Sequence, residues 1–132
     1  MTQAIDVIFC DDIRNEDNGK QIAIGVYGND IILNNPSNQI ALVLWIRFLG
    51  FETGKHKNTI EIYLGNDLLL AADGEIEAEE GMFSQVQLPG FVLKVDREDT
   101  LRVVVTLADG VKLNAPSTNV KFGELAGGAA PT

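Results

Sequence analysis

Apolar and polar residues alternate along most of this chain with a period of two, the period of a β-strand rather than of a helix. Between residues 4 and 10, Ile5, Val7 and Phe9 share one face, and Ala4, Asp6 and Ile8 share the other. Asp6 needs water, which places this strand near a sheet edge. Residues 20–27 repeat the pattern. Ile22, Ile24 and Val26 form one face; the small Ala23 and Gly25 form the other, where a neighbour can pack closely. Residues 31–33 resume after a Gly28-Asn29-Asp30 turn, and Asn34-Asn35-Pro36-Ser37-Asn38 reads as a loop. Residues 40–48 are the most apolar stretch. Leu42, Leu44, Ile46 and Phe48 share a face, and Val43, Trp45 and Arg47 share the opposite one. A strand apolar on both faces is usually central and covered twice. A two-layer sandwich supplies one cover. The other falls to a loop, with residues 73–85 the candidate, or to another subunit.

The second half of the chain continues in the same way. Ile60, Ile62 and Leu64 point inward from residues 59–64, and Gly65-Asn66-Asp67 turns that strand into residues 68–72, a hairpin. Residues 73–85 are polar and acidic, with Gly74 and Gly81 as breakers, and are expected to form a loop. Phe91, Leu93 and Val95 mark a strand after Pro89-Gly90. Leu101, Val103, Val105 and Leu107 line one face of residues 100–107, and Asp109-Gly110 suits a hairpin turn. Residues 111–114 and 119–122 return as short strands. No segment holds a helical period. The expectation is an all-β fold, an antiparallel β-sandwich of about seven to nine strands, with a partly closed β-barrel as the alternative. The 132 residues suit one domain over residues 1–125, followed by a flexible tail at 126–132.

Charge narrows the partners. The net charge is −9, and binding a phosphate backbone needs clustered Lys and Arg, so no nucleic acid is expected. Cys10 is the sole cysteine, which rules out an intrachain disulfide and suggests a buried, inert thiol at the end of an apolar run. No basic region precedes a long apolar core at the N-terminus. The longest apolar run, residues 40–46, is far short of the roughly 20 residues that span a bilayer. The expected location is the cytoplasm, with no membrane contact.

Little in the chain points to catalysis. The one histidine, His56, lies in Gly54-Lys55-His56-Lys57-Asn58, which reads as an exposed loop. No second His or Cys stands at zinc-ligand spacing, and the nucleophile-elbow and phosphate-loop patterns are absent. No cofactor is expected. Carboxylates are the plentiful groups. Asp11, Asp12, Glu16 and Asp17 crowd one loop; Asp96, Glu98 and Asp99 crowd another. If the two loops met, Asp11, Asp12, Asp96 and Asp99 could hold Ca²⁺. Turn chemistry explains the same residues more simply, because Asp and Asn bond their own backbone. A hydrolase using paired carboxylates ranks below both, since nothing sets two acids across a sugar cleft. Residues 58–93 hold seven acids and no Lys or Arg, a solvated stretch or a docking surface for a basic partner.

Phe9-Cys10-Asp11-Asp12-Ile13-Arg14, then Glu16, Gly19-Lys20 and Ile24-Gly25-Val26-Tyr27, resemble the opening of a family of small bacterial proteins of unknown function. The likeness covers about the first quarter of the chain. It implies a small intracellular bacterial domain and brings no activity or cofactor. It also implies that Asp11, Asp12, Arg14, Glu16 and Lys20 belong together, which reads physically as a loop tied by a buried Arg14–carboxylate pair and closed by Asn18-Gly19. The functional expectation is a non-enzymatic binding or assembly module, with Asp11, Asp12, Arg14, Glu16, Trp45 and Arg47 as candidate contact residues. Trp beside a β-branched residue and an arginine has the composition of an interface, so a homo-oligomer or a protein partner is expected.

Overall fold

Alternation builds eleven strands in the computed structural model, which describes residues 2–33 and 39–123. They are β1 (Ala4–Cys10), β2 (Asp12–Asn15), β3 (Gln21–Ile24), β4 (Asp30–Leu33), β5 (Gln39–Leu49), β6 (Gly54–Leu64), β7 (Asp67–Ala78), β8 (Ser84–Lys94), β9 (Asp99–Leu107), β10 (Lys112–Asn114) and β11 (Thr118–Phe122). One sheet has the order β1-β5-β8. The larger has the order β4-β11-β9-β6-β7, with β10 also on β9, and β2-β3 form a separate two-stranded sheet. All pairings are antiparallel except β11 with β4. Among the described residues no sheet closes on itself, and the fold is an all-β sandwich rather than a barrel. Among the described residues no helix is long and apolar enough to cross a membrane. The loop expected at residues 34–38 and the tail expected at 126–132 lie outside the described residues.

The core is where alternation puts it. Leu42, Leu44, Ile46 and Phe48 of β5 are buried against Ile60, Ile62 and Leu64 of β6 and Leu101, Val103 and Val105 of β9 in one apolar cluster. Burying one such side chain is worth about 1.5–3 kcal/mol. Strand β1 is an edge strand, as Asp6 required.

Three expectations change. Of the loop expected at residues 73–85 only 79–83 form a turn: β7 continues to Ala78, with Ile76 and Ala78 buried and Glu75 and Glu77 outward, and β8 starts at Ser84. The acids are tolerated because Lys57 and Lys55 of β6 stand directly opposite them, and opposite charges across a pair of strands are favourable. His56 is correspondingly in a strand, half-buried, rather than in an exposed loop. Pro89-Gly90 interrupts no strand: β8 runs through it, because Leu42 faces Phe91 while Leu44 faces Leu88, and the bulge absorbs the extra residue. Gly90 takes a φ of 58° there, and a bulge is one of the few places a sheet accepts proline.

Candidate functional site

The acid-rich stretch is a hairpin rather than a loop. Glu16 N–H donates to Lys20 O at 2.7 Å and Gly19 N–H to Glu16 O at 3.1 Å. Asn18 Oδ1 accepts from Lys20 N–H, and Gly19 takes a φ of 84°. This Asn-Gly turn reverses β2 into β3, as its residues suggest. Strand β3 stops at Ile24, earlier than the alternation through Val26 implied, because Gly25 turns the backbone with a φ of 68°. Two sets of backbone bonds then tie the hairpin to the end of β1. Asp11 N–H donates to Ile24 O and Gly25 O, and Tyr27 N–H donates to Phe9 O at 2.9 Å.

The hairpin has two unlike faces. Ile13 pairs with Ala23 and Asn15 with Gln21 on the face toward the three-stranded sheet. Asn15 and Gln87 of β8 exchange amide hydrogen bonds at 3.4 Å. Cys10 and Val43 sit on the outer face of that sheet, since cross-strand partners share a face, and both are buried. Strand β2 lies against β5 and β8 and is their cover. At Val43 the second cover of the apolar strand is therefore this hairpin rather than another subunit, while Phe83, from residues 73–85, lies over Arg47 farther along the same face. Burial pushes the Cys10 thiol pKa up. A backbone hydrogen bond at Asp12 opposes the rise, and the charges of Asp11 and Asp12 add to it.

The opposite face of the hairpin pairs Asp12 with Ile24 and Arg14 with Ile22, and all four are exposed. Ile22 is 44% exposed, Ile24 40% and the following Val26 55%. These three were expected to be an ordinary strand face, and they are bare. The buried Arg14–carboxylate pair is not formed: Arg14 is exposed and makes no ion pair among the described residues. Four acids in one loop suggest a partner for it, but two-residue alternation sends Arg14 outward with Asp12. Arg14→Ala is expected to change stability by no more than about 0.5 kcal/mol, as for other surface changes. Urea unfolding measures this, and a loss of several kcal/mol would restore the buried pair.

Asp11 has a structural duty. Its Oδ1 accepts from Tyr27 O–H at 2.9 Å, and its carboxyl group fills the space left by the missing Cβ of Gly25. Burial raises the Tyr27 pKa, and the bond to Asp11 raises it further. Asp12 Oδ1 accepts from Ile13 N–H, and Glu16 contributes its backbone to the turn. Beside the hairpin, Trp45 Nε1–H donates to Gln85 Oε1. Arg47 pairs with Asp6 at 2.7 Å, and its guanidinium lies over the Phe83 ring at 5.3 Å. Trp45 and Arg47 are each half-buried. The six candidate contact residues thus share one side of the molecule.

The acids of the calcium reading are employed separately. Asp96 and Asp99 pair with Arg97 at 3.0 and 3.2 Å, and Arg97 also reaches Asp67 at 3.0 Å and Leu64 O. The Thr100 N–H bond, then Arg97, hold the Asp99 carboxyl below its usual range, while Asp99, ahead of its other acids, raises Arg97. Among the described residues no three His, Cys, Asp or Glu side chains gather as a metal ion requires. A cleft of about 530 Å³ runs past His56, lined also by Phe51, Lys55, Glu75 and Asp109. His56 Nε2–H donates to Glu52 O at 2.7 Å, and the ring meets the Phe51 ring edge-on. That nitrogen is thereby committed to holding a backbone turn. No protein-family model matches the chain, and a search of curated proteins finds none that matches it.

Proposed function

We propose that this protein is a non-enzymatic binding or assembly module of the cytoplasm that meets its partner through the outer face of the β2–β3 hairpin. We carry the resemblance to small bacterial proteins as part of the same proposal. One observation supports it above the others: Ile22 and Ile24 share the outer face of β3, both are exposed, as is the following Val26, and Ile22 stands opposite Arg14, which makes no ion pair among the described residues. Scattered surface apolar residues need no explanation, but a contiguous group with a charged rim has the make-up of a contact site. The net charge of −9 favours a protein over a nucleic acid as the partner.

A photo-crosslinking residue tests the reading in the native host. Placed at Ile22, it is expected to yield discrete adducts. Placed at Val111, which is equally exposed on the larger sheet's β9–β10 turn, it is expected to yield none. Equal labelling from both positions, or none from Ile22, counts against the hairpin as the contact.

A further inference from the structure

We propose that β3 is the contact edge between two copies of this chain, pairing antiparallel with β3 of the second copy about a two-fold axis at Ala23. This names the partner for the hairpin surface and rests on the reading above.

Strand β3 has β2 on one side and, among the described residues, no hydrogen-bonded strand on the other. The Glu16 N–H to Lys20 O bond sets the phase of the hairpin ladder. Hydrogen-bonded pairs alternate along an antiparallel ladder, so Arg14–Ile22 and Asp12–Ile24 exchange the bonds to β2. The N–H and C=O groups of Gln21 and Ala23 therefore point to the open edge. Natural edges are usually blocked by charge, proline or a bulge. Gln21-Ile22-Ala23-Ile24 has neither charge nor proline, and its two isoleucines are exposed. A two-stranded hairpin is marginal on its own, and added strands stabilise it.

An edge of this kind accepts any extended strand. The second copy is favoured because the strand is complementary to itself. When Ala23 faces Ala23 of the second copy, their outward N–H and C=O groups exchange two hydrogen bonds. The same register sets Ile22 opposite Ile24 of the second copy, and Ile24 opposite its Ile22. Each row across the resulting four-stranded sheet then reads Arg14, Ile22, Ile24, Asp12, with the last two from the second copy. A positive end and a negative end close every row, and the apolar pairs lie between them. The two-fold repeats this row in reverse, as an isologous contact demands. Four-residue strands bury a small area, so the dimer is weak and depends on concentration.

Light scattering from micromolar to millimolar protein tests this, at about 0.15 M salt, where repulsion between two acidic chains is screened beyond about 8 Å. The wild-type mass is expected to rise from 14.3 kDa toward twice that value. Ala23→Pro removes the edge donor without touching a bond to β2, and Ile24→Lys sets two added charges beside the axis. Both are expected to hold the mass at 14.3 kDa with an unchanged circular dichroism spectrum. Val111→Lys is expected to dimerise like wild type. A wild type that stays monomeric overturns the inference, and so does a dimer that survives Ile24→Lys. If the chain is monomeric yet Ile22 crosslinks to a different protein, the dimer is refuted and the binding module stands. Absence of both signals removes both.

Discussion

Leu44→Ala is expected to destabilise the protein by about 2–5 kcal/mol, the range for emptying a leucine site in a close-packed core. Leu44 has no exposed surface. It stands in the middle strand of the three-stranded sheet, paired to Phe9 on one side and Leu88 on the other. Its side chain belongs to the same cluster as Ile60, Ile62, Val103 and Val105 of the larger sheet. The loss has two parts, the transfer energy of the missing methyl groups and the cavity that rigid sheets cannot collapse to fill. At roughly 4 °C per kcal/mol for a domain of this size, the melting temperature should fall by roughly 8–20 °C. Val111→Ala, on an exposed turn, should stay within about 0.5 kcal/mol of wild type. Calorimetry distinguishes them. A Leu44→Ala protein that melts within a degree or two of wild type would mean that the two sheets do not pack through β5.

The strands that carry this core were legible because alternation is a direct consequence of having one dry face. Residues 40–48, 59–64 and 100–107 each set out a complete row of large apolar side chains, and each row is buried. Where the reading went astray, the missing information was pairing. Glu75 and Glu77 look like loop residues until Lys57 and Lys55 are found opposite them, a relation between positions about twenty residues apart. Asp12-Ile13-Arg14-Asn15 has a single apolar residue, so no local pattern marks it as a strand. It becomes one because Ile13 and Ala23 share the face laid over Cys10 and Val43. The small residues Ala23 and Gly25 did signal close packing, and Asp11 does pack onto Gly25. Alternation named Ile22 and Ile24 as one face without saying what would cover it. On a two-stranded hairpin that lies on the sandwich, the larger side chains face water. The six candidate contact residues lie in two separate segments, residues 11–16 and 45–47. They come to one side of the molecule because β1 pairs with β5, setting Cys10 opposite Val43, so that β2 leaves the end of β1 and lies against β5.

Gly25→Ala is expected to cost about 2–3 kcal/mol and to loosen the hairpin before the sandwich. Two causes add. Gly25 has a φ of 68°, a left-handed conformation that costs an ordinary L-residue about 1–2 kcal/mol. A Cβ at this position would also land on the Asp11 carboxylate, which leaves no room for it. Asp11 can escape only by rotating away, and it then loses the hydrogen bond from Tyr27 O–H. Such a bond contributes about 1 kcal/mol net. The two causes separate in a double-mutant cycle. Asp11→Ala removes the carboxylate and leaves its own Cβ 3.1 Å from the new methyl group, a gap that a small shift widens. In that background Gly25→Ala should retain the backbone cost of about 1–2 kcal/mol and lose the rest. The expected coupling is about 1 kcal/mol, large enough to resolve in urea unfolding. Amide exchange locates the damage. Protection should fall first at Asp11 and Tyr27, whose N–H groups tie the hairpin to β1, and remain at Ile62 and Val103. Strict additivity of Gly25→Ala and Asp11→Ala would show that the carboxylate does not occupy the space beside Gly25. The hairpin would then be held over Cys10 and Val43 by its Asn15–Gln87 contact and the bonds to β1 alone.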